Sequence, residues 1–197
     1  MELWIATGNA GKLKEFEMQL RELPDLKLHT QNEIPGFSPR PEDGKTFLDN
    51  ARIKTKTLKS VRSGDWVMGE DSGLEVPGLG GLPGIHSARY AGPKASDSEN
   101  VAKLLKMMQI RGIADRTAKF VCTLMVYTPT GEEWIFTGEM KGTLAKAPTG
   151  QHGFGYDPIF VPEGESKSLA ELGSGFKIQK SHRAQALKAF LEKLKSV

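Results

Sequence analysis

Glu70 and Asp71 stand side by side in "GEDSGL" (69–74), at the end of an otherwise apolar run. Neighbouring side chains on a strand point to opposite faces, so one carboxylate would face the core side while the other reaches a cleft. A buried carboxylate is costly unless it is paired or bound to metal. One or two carboxylates joined by substrate phosphates are the oxygen ligands that Mg²⁺ prefers. A solvated turn, with Asp71 in an Asx-type hydrogen bond, is the competing reading. The stretch "PEDGKTFLDNARIK" (41–54) adds Glu42, Asp43, Asp49 and Lys54. Glu42 could lend a metal a second carboxylate, whereas Asp43 to Thr46 are expected to form a turn and N-cap for the helix that follows. Asn50 and Lys54 are four apart and share one helix face.

The opening "ELWIATGNAGKLKEF" runs an apolar strand into Thr7-Gly8-Asn9-Ala10-Gly11-Lys12 and then a polar, helix-like segment. Backbone N–H groups at such a helix start favour an anion, and Lys12 adds a mobile charge. The spacing differs from a Walker A loop, which needs four residues between its glycines and a hydroxyl after the lysine. An ordinary strand-to-helix turn accounts for the same residues equally well. In "GQHGFGYDP" (150–158), Phe154 and Tyr156 either offer an aromatic plane to a flat ligand or pack as core around a tight turn. "FKIQKSHRAQAL" (176–187) places Lys177, Lys180, His182 and Arg183 around a helix start, with Ser181 as its expected N-cap. Cations in a first turn oppose the helix dipole, so the placement hints at an anionic or carbonyl-rich partner; a basic surface patch is the alternative.

The elements that must position these groups follow from periodicity. "ELWIA" reads as a buried strand. Leu13, Phe16, Leu20 and Leu23 make one face of a helix that should stop before Pro24. A short strand at "LKLHT" precedes a second helix from about Thr46 to Val61, with Phe47, Ala51, Leu58 and Val61 on its core side. "DWVMGED" is the next strand, expected to break at Ser72-Gly73, and a glycine- and proline-rich loop follows to residue 95. Val101, Leu104, Leu105 and Met108 mark a third helix. Two or three strands then occupy 117–145, with a hairpin at Pro129-Thr130-Gly131. A last helix begins near Ser181 and buries Leu187, Phe190, Leu191 and Leu194. This alternation predicts an α/β domain with a mixed sheet.

Composition narrows the function classes. With 27 basic against 24 acidic residues, the formal charge of +3 is too mild for wrapping a nucleic acid, though it suits a local cationic pocket. The one cysteine, Cys122, excludes a disulfide scaffold within the chain and reads as a buried thiol. No apolar run approaches the ~18 residues that span a bilayer. No signal-peptide pattern opens the chain, so a cytoplasmic protein without membrane partners is expected. Taken together, the motifs assemble a phosphate loop, a metal-type acid set, an aromatic platform and hydrogen-bond donors, the inventory for a nucleoside triphosphate.

"TGNAGK", "EDGKTFLDNA", "GEDSGLEV", "GGLPGIHSARYAG", "GFGYDPIF" and "KIQKSHRAQAL", in this order from residue 7 to 187, resemble the motif series of the Ham1/RdgB-type inosine triphosphate pyrophosphatases. The resemblance implies a long mixed β-sheet flanked by helices, with two lobes around a substrate cleft forming a single domain over 1–197, and a homodimer. It implies Mg²⁺-dependent conversion of ITP, dITP or XTP into the monophosphate and pyrophosphate, a housecleaning activity on noncanonical purine nucleotides. Carried over by position, the triphosphate loop falls on Thr7, Gly8, Asn9, Ala10, Gly11 and Lys12. The catalytic aspartate, general base and metal ligand, falls on Asp71, with Glu42 as a second metal ligand and Glu70 in support. Ser72 and Lys54 match substrate-side polar positions. Phe154, Gly155, Tyr156, Asp157, Lys177, His182 and Arg183 match segments that hold base and sugar, and donors among the last three would read a 6-oxo group. The chain departs from the family pattern at Asp49, commonly Glu; at Glu70-Asp71, commonly Asp-Asp; and at Gln151-His152, commonly smaller residues. A Maf-like pyrophosphatase for modified pyrimidines and a non-catalytic nucleic-acid-binding module are the rival readings.

Overall fold

The computed structural model describes residues 1–21, 23 and 25–196. Six strands form one sheet in the order β2-β1-β3-β4-β5-β6. They are β1 (Glu2–Ala6), β2 (Lys27–Thr30), β3 (Trp66–Glu75), β4 (Thr117–Tyr127), β5 (Glu133–Leu144) and β6 (Phe160–Pro162). The sheet is mixed: β1 runs parallel to β2 and β3, whereas β5 and β6 are antiparallel. In the parallel register Leu3, Trp4, Ile5 and Ala6 of β1 sit opposite Trp66, Val67, Met68 and Gly69 of β3. The helices are α1 (Ala10–Leu20), α2 (Phe47–Lys59), α3 (Asp97–Ile110), α4 (Leu169–Lys180) and α5 (His182–Leu194).

The chain divides into two compact units. Unit 1 comprises residues 1–71, 122–137 and 186–197, and unit 2 comprises 72–121 and 138–185. The strands β3, β4 and β5 each contribute residues to both. Unit 1 is built on a core of Leu3, Ile5, Phe16, Met68, Leu124, Val126, Leu187 and Phe190, gathered from β1, α1, β3, β4 and α5. Unit 2 has its own core, in which Leu74, Leu104, Met108, Phe120, Ile159, Phe160 and Leu169 meet.

The expected elements are present, with corrections at their ends. β3 does not break at Ser72-Gly73 but continues to Glu75, its residues 67–71 and 73–74 all buried. Val61 lies beyond α2 and is exposed, because the helix ends at Lys59. Within the expected Asp43–Thr46 turn it is Thr46 that caps α2: its hydroxyl accepts the Asp49 N–H at 3.1 Å while the Asp49 carboxylate accepts the Thr46 N–H at 3.1 Å. α1 ends at Leu20, and the stop expected at Pro24 lies outside the described residues. The segment around Lys177 is a helix in its own right, α4, interrupted where Gly173 adopts φ +79°.

Candidate active site

Gly69 lets β3 lie directly against α2. A Cβ there would overlap the Thr55 hydroxyl and stand 2.7 Å from the Ala51 carbonyl oxygen. That approach brings α2 side chains to the residues just after Gly69, and strand alternation sends those two to opposite sides. Glu70, fully buried, faces α1: its Oε2 lies 2.6 Å from Lys12 Nζ, and its Oε1 accepts from the Cys122 thiol at 3.5 Å. Asp71, 6% exposed, faces α2: Oδ1 accepts from Lys54 Nζ at 3.0 Å and Oδ2 from Asn50 Nδ2 at 3.1 Å.

The same Lys54 ammonium lies 3.2 Å from Glu42 Oε2, so one cation joins two carboxylates from distant parts of unit 1. Asn50 fixes the loop that carries Glu42, since its Oδ1 accepts the Gly44 N–H at 2.9 Å. That bond sets the amide orientation and leaves Nδ2 to donate to Asp71. Asn50 is fully buried, and its signal in the sequence was its four-residue spacing from Lys54.

Burial raises the Asp71 pKa above the usual carboxylate value; Lys54 and Lys12 pull it down, Glu70 pushes it up again, and the balance stays high. Burial would lower the Lys54 pKa, but the charges of Asp71, Glu42 and Glu70 outweigh it and hold the ammonium above its ordinary value. The surroundings of Lys54 thus favour its charged ammonium, and those of Asp71 make it a more basic carboxylate. When all are ionised, Glu42, Glu70 and Asp71 against Lys12 and Lys54 leave one net negative charge.

Thr7–Lys12 forms the turn into α1. The Asn9 side chain accepts the Lys12 N–H at 3.0 Å, and the Thr7 hydroxyl accepts the Asn9 N–H at 3.2 Å. The first turn of α1 carries no acidic residue, so nothing on the helix cancels its positive end.

Within unit 2, a second set of polar groups is buried. Lys177 Nζ lies 2.7 Å from Asp157 Oδ2 and 4.5 Å from the Phe154 ring centroid. The same Asp157 oxygen accepts the Phe154 N–H at 3.0 Å. Arg183, 1% exposed, donates to the Ser72 hydroxyl at 3.0 Å. The His182 imidazole stacks on Phe120 of β4, with centroids 4.9 Å apart and planes 10° from parallel. Ser181 caps α5 as expected, its hydroxyl accepting the Ala184 N–H at 3.1 Å. Tyr156 does not belong to an aromatic platform. It is buried, donates its hydroxyl to the Ser87 carbonyl at 2.8 Å, and burial drives its phenol pKa well up. Phe154 of the same loop is half-buried.

Among the described residues no three or more His, Cys, Asp and Glu side chains gather into a group that could hold a metal ion. Glu42, Glu70 and Asp71 thus do not form one carboxylate cage: Glu70 is turned to Lys12, and only Glu42 and Asp71 share a cation. Those two fit a hard dication by donor chemistry, since both present oxygens to the same positive centre.

Comparison with known proteins adds four findings. A family model described as the Ham1 family matches residues 3–193. A Bdellovibrio bacteriovorus protein named dITP/XTP pyrophosphatase is 70% identical over 197 residues, covering 100% of this chain and 99% of its own. A Streptococcus thermophilus protein of the same name is 41% identical over 191 residues; the alignment covers 96% of this chain but only 58% of that longer one. The solved structure of a HAM1 protein from Coxiella burnetii superposes with a TM-score of 0.90 at 34% identity, covering all of both chains.

Proposed function

Because the chain belongs to the Ham1 family, we propose that it hydrolyses noncanonical purine nucleoside triphosphates (dITP, XTP and ITP) to the monophosphate and pyrophosphate. The observation that carries the chemistry is Asp71, buried, more basic than usual and fixed between Asn50 and Lys54. Such a carboxylate is poised to take a proton from attacking water, help typically worth ~10²–10⁴-fold. Asn50 and Lys54 orient it by two hydrogen bonds, leaving its position determined before substrate arrives. The acid-free N-terminus of α1 and the Lys12 ammonium receive the polyphosphate.

Glu42 and Asp71 are the residues that would hold Mg²⁺. Bound there, the ion would neutralise charge on phosphate oxygens. The excess negative charge among the acids of unit 1 supports that requirement, because a polyphosphate adds more of the same sign. In unit 2, Phe154 offers a face to the base, and Lys177, His182 and Arg183 are the donors for a 6-oxo acceptor. Adenine presents an amino donor there and would leave them unpaired, a mismatch that costs a site dearly. A single domain over 1–197, a homodimeric state and a cytoplasmic location are parts of the same reading, supported by the family resemblance.

The test measures pyrophosphate and monophosphate from ITP, dITP and XTP against ATP, GTP and dUTP, with Mg²⁺ or with excess EDTA. Rapid, metal-dependent turnover of the first three supports the reading. Equal turnover of ATP, release of orthophosphate in place of pyrophosphate, or preference for dUTP overturns it.

A further inference from the structure

Besides the Tyr156 hydroxyl bonded to the Ser87 carbonyl, the loop bearing Phe154 is tied down by three parts of unit 2. From α4, the Ser168 hydroxyl donates to the Thr149 carbonyl at 2.7 Å, and the Ala170 carbonyl accepts the His152 N–H at 3.1 Å. From the loop's own end, Asp157 accepts the Phe154 N–H. The third tie comes from α3: Asp97 Oδ2 accepts the Gly155 N–H at 2.7 Å, a link spanning 58 residues of chain.

Nothing in the helix itself requires Asp97 to do this. The start of α3 is already closed by Ser96 and Glu99, whose side chains accept each other's backbone N–H groups at 3.3 and 2.7 Å. The Asp97 carboxylate is thereby left over at the positive end of a helix, where its charge is favoured. Side-chain packing does not fix the loop on this side. A cavity of about 450 Å³ opens there, with Asp97, Val101 and Leu105 on the α3 side and His152, Phe154 and Pro158 on the loop side. Gly155 adopts φ +62°, a left-handed conformation that favours glycine and presents its N–H to the carboxylate.

We propose that Asp97 is a positioning residue for nucleotide recognition: it holds Gly155 so that the neighbouring Phe154 ring stays under the Lys177 ammonium and open to a base. The proposal rests on the assignment of Phe154 and Lys177 to the base side given above. A charge-assisted bond to one backbone N–H supplies orientation and leaves Asp71 untouched, so its loss acts on binding and not on the chemical step.

The test compares wild type, Asp97→Ala and Asp97→Asn by steady-state kinetics on ITP and by hydrogen exchange at the Gly155 amide. For Asp97→Ala, KM should rise about five- to tenfold with kcat within about twofold, because an exposed charge-assisted bond is worth roughly one decade in affinity. The Gly155 amide should exchange faster, and Asp97→Asn, whose amide oxygen still accepts, should recover most of both effects. An unchanged KM and unchanged exchange in Asp97→Ala overturn the proposal, as does an Asp97→Asn no better than alanine. A wild type inert toward ITP would refute the proposed function, while exchange at Gly155 would still decide whether the tether exists.

Discussion

Replacing Asp71 by asparagine separates chemistry from stability. The substitution keeps the shape and the hydrogen bonding to Lys54 through the amide oxygen, but removes the basic carboxylate. General-base assistance of ~10²–10⁴-fold corresponds to about 2.7–5.4 kcal/mol of barrier, so kcat should fall by at least two decades. Stability receives two opposing contributions. Losing a hydrogen bond to a charged partner costs about 1.5–3 kcal/mol. Removing a charge from a site only 6% exposed relieves a desolvation penalty of several kcal/mol. Lys54 meanwhile keeps Glu42 as its partner at 3.2 Å, so no ammonium is stranded. The net change should stay within about 2 kcal/mol, a Tm shift of no more than about 8 °C for a chain of this length. The assay pairs pyrophosphate release from ITP with a calorimetric scan and IMP binding. An Asp71→Asn enzyme keeping more than a tenth of wild-type kcat would refute the role of this carboxylate. A collapse of Tm beyond that range would show instead that the pair is chiefly structural.

Gly69→Ala should destabilise by about 1–3 kcal/mol, because its Cβ meets the Ala51 carbonyl and a Thr55 hydroxyl already bonded at 2.6 Å to that carbonyl; urea unfolding reads this, and an unchanged midpoint would contradict the close approach of β3 and α2. Lys177→Gln should reduce the ITP-over-ATP ratio of kcat/KM, and an unaltered ratio would remove Lys177 from base reading. Burial and the Glu133 carboxylate push the Tyr127 phenol up to about 12 from 10.0, so the unfolded chain loses that proton first. Stability from this group is complete below pH 10 and is lost as pH rises toward 12. Tyr127→Phe should therefore flatten the decline of unfolding free energy across that window, and an equally steep decline in the variant would rule the residue out as its source.

Much of the architecture was legible in the sequence, because apolar spacing carries it. β1, α2, α3, the hairpin and α5 fall where their periodicities place them, since each buries a continuous face. Endings were harder. The β3 break was misplaced at Ser72-Gly73 because a polar residue beside glycine suggests a turn, whereas the Leu74 N–H is satisfied by the Ser87 hydroxyl at 2.9 Å and the strand runs on. At the site, strand alternation anticipated that Glu70 and Asp71 would part company, and helix spacing brought Asn50 and Lys54 together. What no local pattern could show was which partner each acid finds: Lys12 and Cys122 for one, Lys54 and Asn50 for the other, from residues 17 to 58 positions away. The Asp97–Gly155 link and the Phe120–His182 stack were invisible for the same reason, being products of long-range folding.

The opposed orientation of residues 70 and 71 makes the chemistry a matter of odd and even. Were β3 to slide by a single position along β1, each acid would take the other's side, and Asp71 would meet Lys12 and Cys122 in place of its lysine-asparagine cradle. The ladder that matches Leu3 to Trp66 and Ala6 to Gly69 thus does more than knit a sheet. It chooses which carboxylate the lysine and asparagine of α2 hold, so the identity of the proposed base is kept by backbone pairing just upstream of it.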